Sequence, residues 1–294
     1  MKYKKTISFT LKILIVALAL FFLFEQLNSN SSFKKFDVDN IFLMLKEKYL
    51  VLVLVIFLMF LNWFIEALKW RFLISKIEKI SIKRSIRAVF SGITISSFTP
   101  NRIGEYGGRV FCLNHADRIQ GILITVIGSM AQLIITIIFG LIAILLLPNL
   151  MPSYDLFLTE LEFSYPIFLF VAILLSTLLI MLFLNASIFT VLLSKVKFLN
   201  RFSKYSNVFS FYNSSELLEV LLYSAGRYII FTAQFFILLN LFSVEVSYIN
   251  SMILTSTMLF VISIIPTIAI TEIGIRGSVA LYLFTLVSNN SMGI

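Results

Sequence analysis

Six apolar runs, at about 8–27, 49–68, 120–147, 165–193, 217–242 and 248–265, dominate this 294-residue chain and leave it few ways to fold. Each is near or above the ~20 residues that carry a helix across the hydrocarbon core of a bilayer. Only 13% of the residues are charged and mean hydropathy is +0.98, whereas a soluble domain is ~25% charged. Thirty-one Phe residues suit lipid-facing and interhelical packing better than a small soluble core. The sequence therefore predicts an all-α, polytopic integral membrane bundle. It forms a single domain over 1–294, with about six spans plus two re-entrant hairpins.

The net charge of +9 lies mostly in the loops, so the positive-inside rule accounts for it and no nucleic-acid partner is expected. Residues 69–87 carry Lys69, Arg71, Lys76, Lys79, Lys83, Arg84 and Arg87 against Glu78, and 195–204 carry Lys195, Lys197, Arg201 and Lys204. The 148–164 loop carries only Asp155, Glu160 and Glu162. This pattern places the N-terminus, 69–87 and 195–204 in the cytoplasm and 148–164 outside. Lys2, Lys4 and Lys5 precede Leu11–Phe24 without a small-residue cleavage site, which reads as an uncleaved first span. Between 28 and 48, Phe33, Phe36, Ile41 and Leu45 interleave with lysines, as in a helix lying in the interface. Cys112 and His115 are the lone members of their types, which excludes an intrachain disulfide or a Cys/His zinc site, and no cofactor is expected.

Two segments break the apolar pattern. Thr99-Pro100-Asn101-Arg102-Ile103-Gly104-Glu105-Tyr106-Gly107-Gly108-Arg109 lies within 88–118, and Pro266 through Glu272-Ile273-Gly274-Ile275-Arg276-Gly277 lies within 266–288. Helix breakers and charges at membrane depth are tolerated only beside protein or a watery cavity. For 88–118 the flanking loops must share the cytoplasmic side, so the segment enters and returns, with Pro100–Gly108 near its tip. After Pro266 the helix should kink or stop. The two segments carry their Arg and Glu in nearly reversed order, a hint of inverted halves.

The arginine fork suits bidentate recognition of phosphate or carboxylate. Gly104, Gly107 and Gly274 would let backbone N–H groups approach such an anion. The expected headgroup-binding set is Arg102, Gly104, Glu105, Arg109, Glu272, Gly274 and Arg276. A structural alternative stays open, in which Arg102 pairs with Glu272 and Arg276 with Glu105 to lock the hairpins together. Gln132, Arg227 and Gln234 are secondary polar groups within spans; the glutamines are expected to glue helices and Arg227 to need a partner. Glu66 is assigned only a local pair with Lys69 or Arg71. No catalytic residue and no metal site is expected, since nucleophile-elbow, phosphate-loop and zinc-helix motifs are absent.

Pro100-Asn101-Arg102-Ile103-Gly104-Glu105 with Arg109, Ala67-Leu68-Lys69-Trp70-Arg71-Phe72-Leu73, and Glu272-Ile273-Gly274-Ile275-Arg276-Gly277 together resemble the membrane region of lysylphosphatidylglycerol synthetases. The resemblance covers roughly residues 10–288 and extends to free-standing proteins built from that region without the soluble transferase. Early in the span after the first hairpin, this chain has Gly128-Ser129-Met130-Ala131-Gln132 where the family often carries Glu-Arg and Asp. It has Gly277 where an acid is usual.

The resemblance implies the half that moves lipid across the bilayer rather than the half that synthesises it. The expected function is flippase-like lipid translocation across the cytoplasmic membrane of a prokaryote, with an anionic, phosphate-bearing headgroup as cargo. An integral-membrane transferase or accessory subunit acting on a lipid-linked substrate, or a scaffold for a lipid synthase, is the alternative. Expected partners are membrane phospholipid and a lipid synthase, and an oligomer is compatible with the sequence. Topology is testable by cysteine accessibility in a variant lacking Cys112. Cysteines at 80 and 200 should label from one side and a cysteine at 155 from the other.

Overall fold

The computed structural model describes residues 46–96, 99, 102–150, 164–185, 205, 207–265, 269–288 and 290. Among them are α1 (Tyr49–Ile74), α2 (Ile82–Ser96), α3 (Gly104–Val110), α4 (Arg118–Leu146), α5 (Ser164–Leu184), α6 (Ser214–Leu241), α7 (Tyr248–Ile264) and α8 (Ala269–Thr285). Short 3-10 turns lie at Leu147–Leu150 and Asn207–Phe211. The described residues form no strand. Four helices, α1, α4, α5 and α6, are long and apolar enough to cross a membrane. This is a multi-pass helical membrane bundle. The span expected at 8–27 and, of the interfacial segment expected at 28–48, residues 28–45 lie outside the described residues, as do 151–163 and 186–204.

Local chemistry starts the helices where the charge pattern changes. Asp117 caps α4 by accepting the Ile119 N–H at 2.7 Å. Asn213 and Glu216 form a reciprocal capping box at α6, and Ser247 caps α7. These caps satisfy N–H groups that have no partner within the helix.

Contacts between connections sort the helix ends into two levels. At one end, the Glu78 carboxylate accepts N–H groups of Asn114, His115 and Ala116 at 3.0–3.1 Å and pairs with Arg84 at 3.0 Å. Burial alone would raise this carboxyl, but the three N–H donors and the Arg84 charge hold it below its ordinary value. Lys76 pairs with Glu216 at 2.6 Å, the Tyr212 hydroxyl donates to the Leu73 carbonyl at 2.7 Å, and Ser214 reaches Leu184. This is the basic end of the bundle. At the other end, Lys48 donates to the Leu241 carbonyl, and the Asn290 amide donates to Phe242 and Ser243. Leu147 and Leu150 pack there against the Val244 and Val246 cluster.

The two broken segments become helical hairpins with opposite attachments. α2 and α3 run antiparallel, and their outer ends sit beside Glu78 and the Ala67 carbonyl at the basic end. The turn between them is closed by Arg102 in the left-handed region, φ 55°, a conformation that costs a non-glycine residue ~1–2 kcal/mol. α7 leaves the other end, stops at Ile264, and packs against α8, which returns towards Ser243. The 248–265 run, expected as a span, is therefore one arm of the second hairpin. At 17 residues it is shorter than a typical span. Pro266 lies outside the described residues, and α7 stops two residues before it, with Ile265 extended. Gly274 and Gly277, expected to interrupt helix, lie inside α8 instead. Away from water nothing competes for their backbone hydrogen bonds, so glycine's weak propensity does not open the helix.

Glycines set the closest helix approaches. A Cβ on Gly108 would sit 2.7 Å from the Gly92 Cα, and one on Gly140 would sit 2.4 Å from the Phe260 Cβ. The first contact joins α2 to α3 and the second joins α4 to α7, the small-residue packing that membrane interiors favour. Trp70, Leu73, Ile124 and Leu217 fill the core shared by α1, α4 and α6. The outward faces of α5 and the first turns of α1 expose Ile167, Phe170, Leu174, Leu50 and Phe57, as expected of surfaces that meet lipid.

Gly108→Ala should lower stability by about 1–3 kcal/mol because the clash is with backbone. Gly107, where a Cβ meets nothing within 4 Å, is the control. Gly107→Ala should be neutral or stabilise by up to ~1 kcal/mol through helix propensity. Thermal unfolding of both variants in one detergent reads the difference.

Candidate lipid-headgroup site

The middle of the bundle holds its most polar cluster. Gln132 is the central residue of α4 (Arg118–Leu146), and Arg227 is central in α6 (Ser214–Leu241). At ~1.5 Å per residue, each lies roughly 20 Å from either helix end. Glu66 meets them from α1, a helix that continues to Ile74 rather than ending near 68. Asn62, Glu66 and Lys69 follow the i, i+4, i+7 spacing that puts them on one helical face.

Glu66 is the hub. Its carboxylate receives Arg109 Nη1 at 2.7 Å and Lys69 Nζ at 2.9 Å, and it also pairs with Arg227. Its side chain is only 5% exposed. Lys69 spends its remaining donors on the Gly128 carbonyl and the Ser224 hydroxyl, both at 3.3 Å, so all three ammonium protons have acceptors. Arg227 donates Nε to the Asn62 side chain at 2.9 Å and Nη1 to Gln132 at 3.3 Å, and its guanidinium lies 5.8 Å from the Trp63 ring centre. The Asn62 amide returns a bond to the Arg227 carbonyl at 3.1 Å. Arg109 also pairs with Glu105, one turn before it on α3. The Arg109 Nε is buried with no acceptor among the described residues.

This cluster forms one wall of a cavity of about 700 Å³. Both hairpins contribute to it: Arg102, Glu105, Tyr106 and Arg109 from the first, Ile262, Ile265 and Arg276 from the second. Its described lining carries two acids, Glu66 and Glu105, against five bases, Lys69, Arg102, Arg109, Arg227 and Arg276. Guanidinium and ammonium donors of this kind suit anionic oxygens, and low-dielectric walls strengthen such contacts.

The expected residues therefore divide. Arg102, Glu105, Arg109, Arg276, Gln132 and Arg227 line one cavity. Gly104 does not cradle an anion, because its N–H donates to the Thr99 hydroxyl at 2.8 Å. Gly274 is the sixth residue of α8, so its N–H belongs to the helical ladder. Its carbonyl also accepts the Ser278 hydroxyl at 2.9 Å. The Glu272 side chain, and with it the alternative Arg102–Glu272 lock, lies outside the described residues. Gln234 glues helices, donating to the Val55 carbonyl at 3.2 Å. Glu66 has far more than the local role expected: it pairs with Lys69 but also across to α3 and α6, while Arg71 turns away to the Ile80 carbonyl. The overlooked signal was an acid, an amide and an amine on one face of an apolar helix.

Residues 9–293 match the family model described as the lysylphosphatidylglycerol synthase TM region. No curated protein and no solved structure matches the chain.

Removing the hub should cost more than removing any one spoke. Glu66→Ala would leave three buried cations without their shared counter-ion, whereas Arg227→Ala leaves Glu66 paired with Lys69 and Arg109. Breaking a buried pair from the costly side takes roughly 3–5 kcal/mol. Unfolding of the two single variants and the double variant should give Glu66→Ala the larger loss, with less than additive loss in the double.

Proposed function

The chain belongs to the lysylphosphatidylglycerol synthase TM-region family, and from that premise we propose that it translocates a lipid with an anionic, phosphate-bearing headgroup. The carrying observation is the cavity at mid-depth, lined by both hairpins and, among its described residues, by four arginines and a lysine. A headgroup crossing a bilayer must exchange its water for other polar partners halfway. Arg102 and Arg276 supply such donors at the hairpin turn and on the returning helix. Glu66 and Glu105 hold Arg109 and Arg227 in place, so the pocket is pre-oriented rather than assembled around each ligand. Acyl tails stay in lipid against the apolar outer faces while the head passes.

In this reading both hairpins are re-entrant, one from each leaflet, and their tips flank the site. The basic end and the N-terminus face the cytoplasm of a prokaryotic cell, by the loop charges. Membrane phospholipid is the cargo, and a separate lipid synthase is the natural supplier of a modified headgroup.

The test separates arginine geometry from bare charge. Arg102→Lys keeps the charge and loses the planar fork, so phospholipid retention should fall about ten- to a hundredfold while the fold persists. Native mass spectrometry of bound phospholipid and a melting curve in the same detergent measure both quantities. In proteoliposomes the same variant should slow the appearance of a fluorescent anionic phospholipid in the opposite leaflet. Unchanged lipid retention with a lowered melting temperature would make Arg102 a strut and remove it from the site.

A further inference from the structure

We propose that a groove between α1 and α2 seats one acyl chain of the lipid whose phosphate enters the central cavity, so that head and tail are recognised by one continuous site. The inference rests on the headgroup reading above and specifies where the cargo's tail goes.

The groove has a volume of about 350 Å³ and is walled by Phe57, Phe60 and Phe64 of α1 and Phe90 of α2, with Leu61 and Ile86 between them. Phe57, Phe60, Phe64 and Phe90 are each exposed by 41–60%, so the groove opens outward from the bundle. Trp63 belongs to both the groove and the cavity. On the cavity side its ring faces the Arg227 guanidinium at 5.8 Å; on the groove side it meets Phe90 at 6.2 Å between ring centres. One turn along α2, Ile93 already lines the cavity.

A single aromatic partition thus separates a cationic chamber from a carbon-walled slot. That is the order of polarity along a phospholipid from phosphate to tail. A headgroup without tails would use only the chamber, and a tail without a charged head would gain only the slot. The slot therefore adds affinity for an amphiphile over a free phosphate ester. A tail that enters it from surrounding lipid gains shape-matched packing rather than release from water.

The first measurement uses Trp63 as the reporter. Trp70→Phe leaves it as the chain's single tryptophan. Phosphatidylglycerol carrying bromine on its acyl chains should quench Trp63 at a lower mole fraction than brominated diacylglycerol does. Equal quenching by both would mean contact with bulk lipid only and would overturn the groove assignment. The second measurement needs no tryptophan change. Ile86→Phe narrows the slot, and should lower phosphatidylglycerol retention about tenfold while leaving glycerol phosphate binding unchanged. Unchanged phosphatidylglycerol retention in that variant also overturns the groove. If the unmodified protein binds neither glycerol phosphate nor phosphatidylglycerol, the headgroup reading fails, and this proposal with it.

Discussion

One carboxylate holds three cations in the middle of a bilayer-thick bundle. Glu66 draws Lys69 on its own helix, Arg109 on the first hairpin and Arg227 on α6 to a single point. None of these cations is tolerable alone in an apolar interior. The cluster therefore fixes the relative positions of α1, α3 and α6 far more tightly than apolar packing would. Lipid tails compete with side chains for apolar contact, but they offer nothing to an unpaired guanidinium. Hydrogen bonds accepted by the Asn62 and Gln132 side-chain oxygens, the Ser224 hydroxyl and the Gly128 carbonyl complete the network without adding charge.

That arrangement also gives the cavity its chemistry. Its described lining carries Glu66 and Glu105 beside Lys69, Arg102, Arg109, Arg227 and Arg276, so basic side chains from α1, α6 and both hairpins meet on one chamber. The two acids orient Arg109 and Arg227. Each buried pair keeps its partners in place, because losing one member leaves the other charge uncompensated in low dielectric.

The two hairpins line this chamber from opposite ends of the bundle. Each leaves and returns to its own end of the bundle, tied by Glu78 at the basic end and by Asn290 at the other. Glycine contacts let the arms pack tightly, with Gly92 against Gly108 in the first hairpin. Among the described residues, Arg102 at the first turn and Ile265 at the end of α7 both line the polar cavity, which is where membrane proteins tolerate interrupted helix.

The sequence by itself determined the membrane class, most of the spans and the two broken segments, because a bilayer demands long apolar helices and punishes buried charge regardless of context. It also singled out Arg102, Glu105, Arg109, Gln132, Arg227 and Arg276, since polar groups in apolar runs stand out without any knowledge of neighbours. Only the tertiary structure decided which of them meet. Glu66 read as a helix-end residue with a local lysine, and its role emerged once α1 was seen to continue to Ile74 and to face α3 and α6. The 248–265 run had a span's composition, yet its depth depends on where α7 stops and what it packs against. Gly104 and Gly274 carried the right residue type for an anion cradle, but their N–H groups were claimed by Thr99 and by the helix. Composition and spacing report what a residue can do; pairing across helices is a long-range property, set by which partners the folded chain brings within a few ångströms.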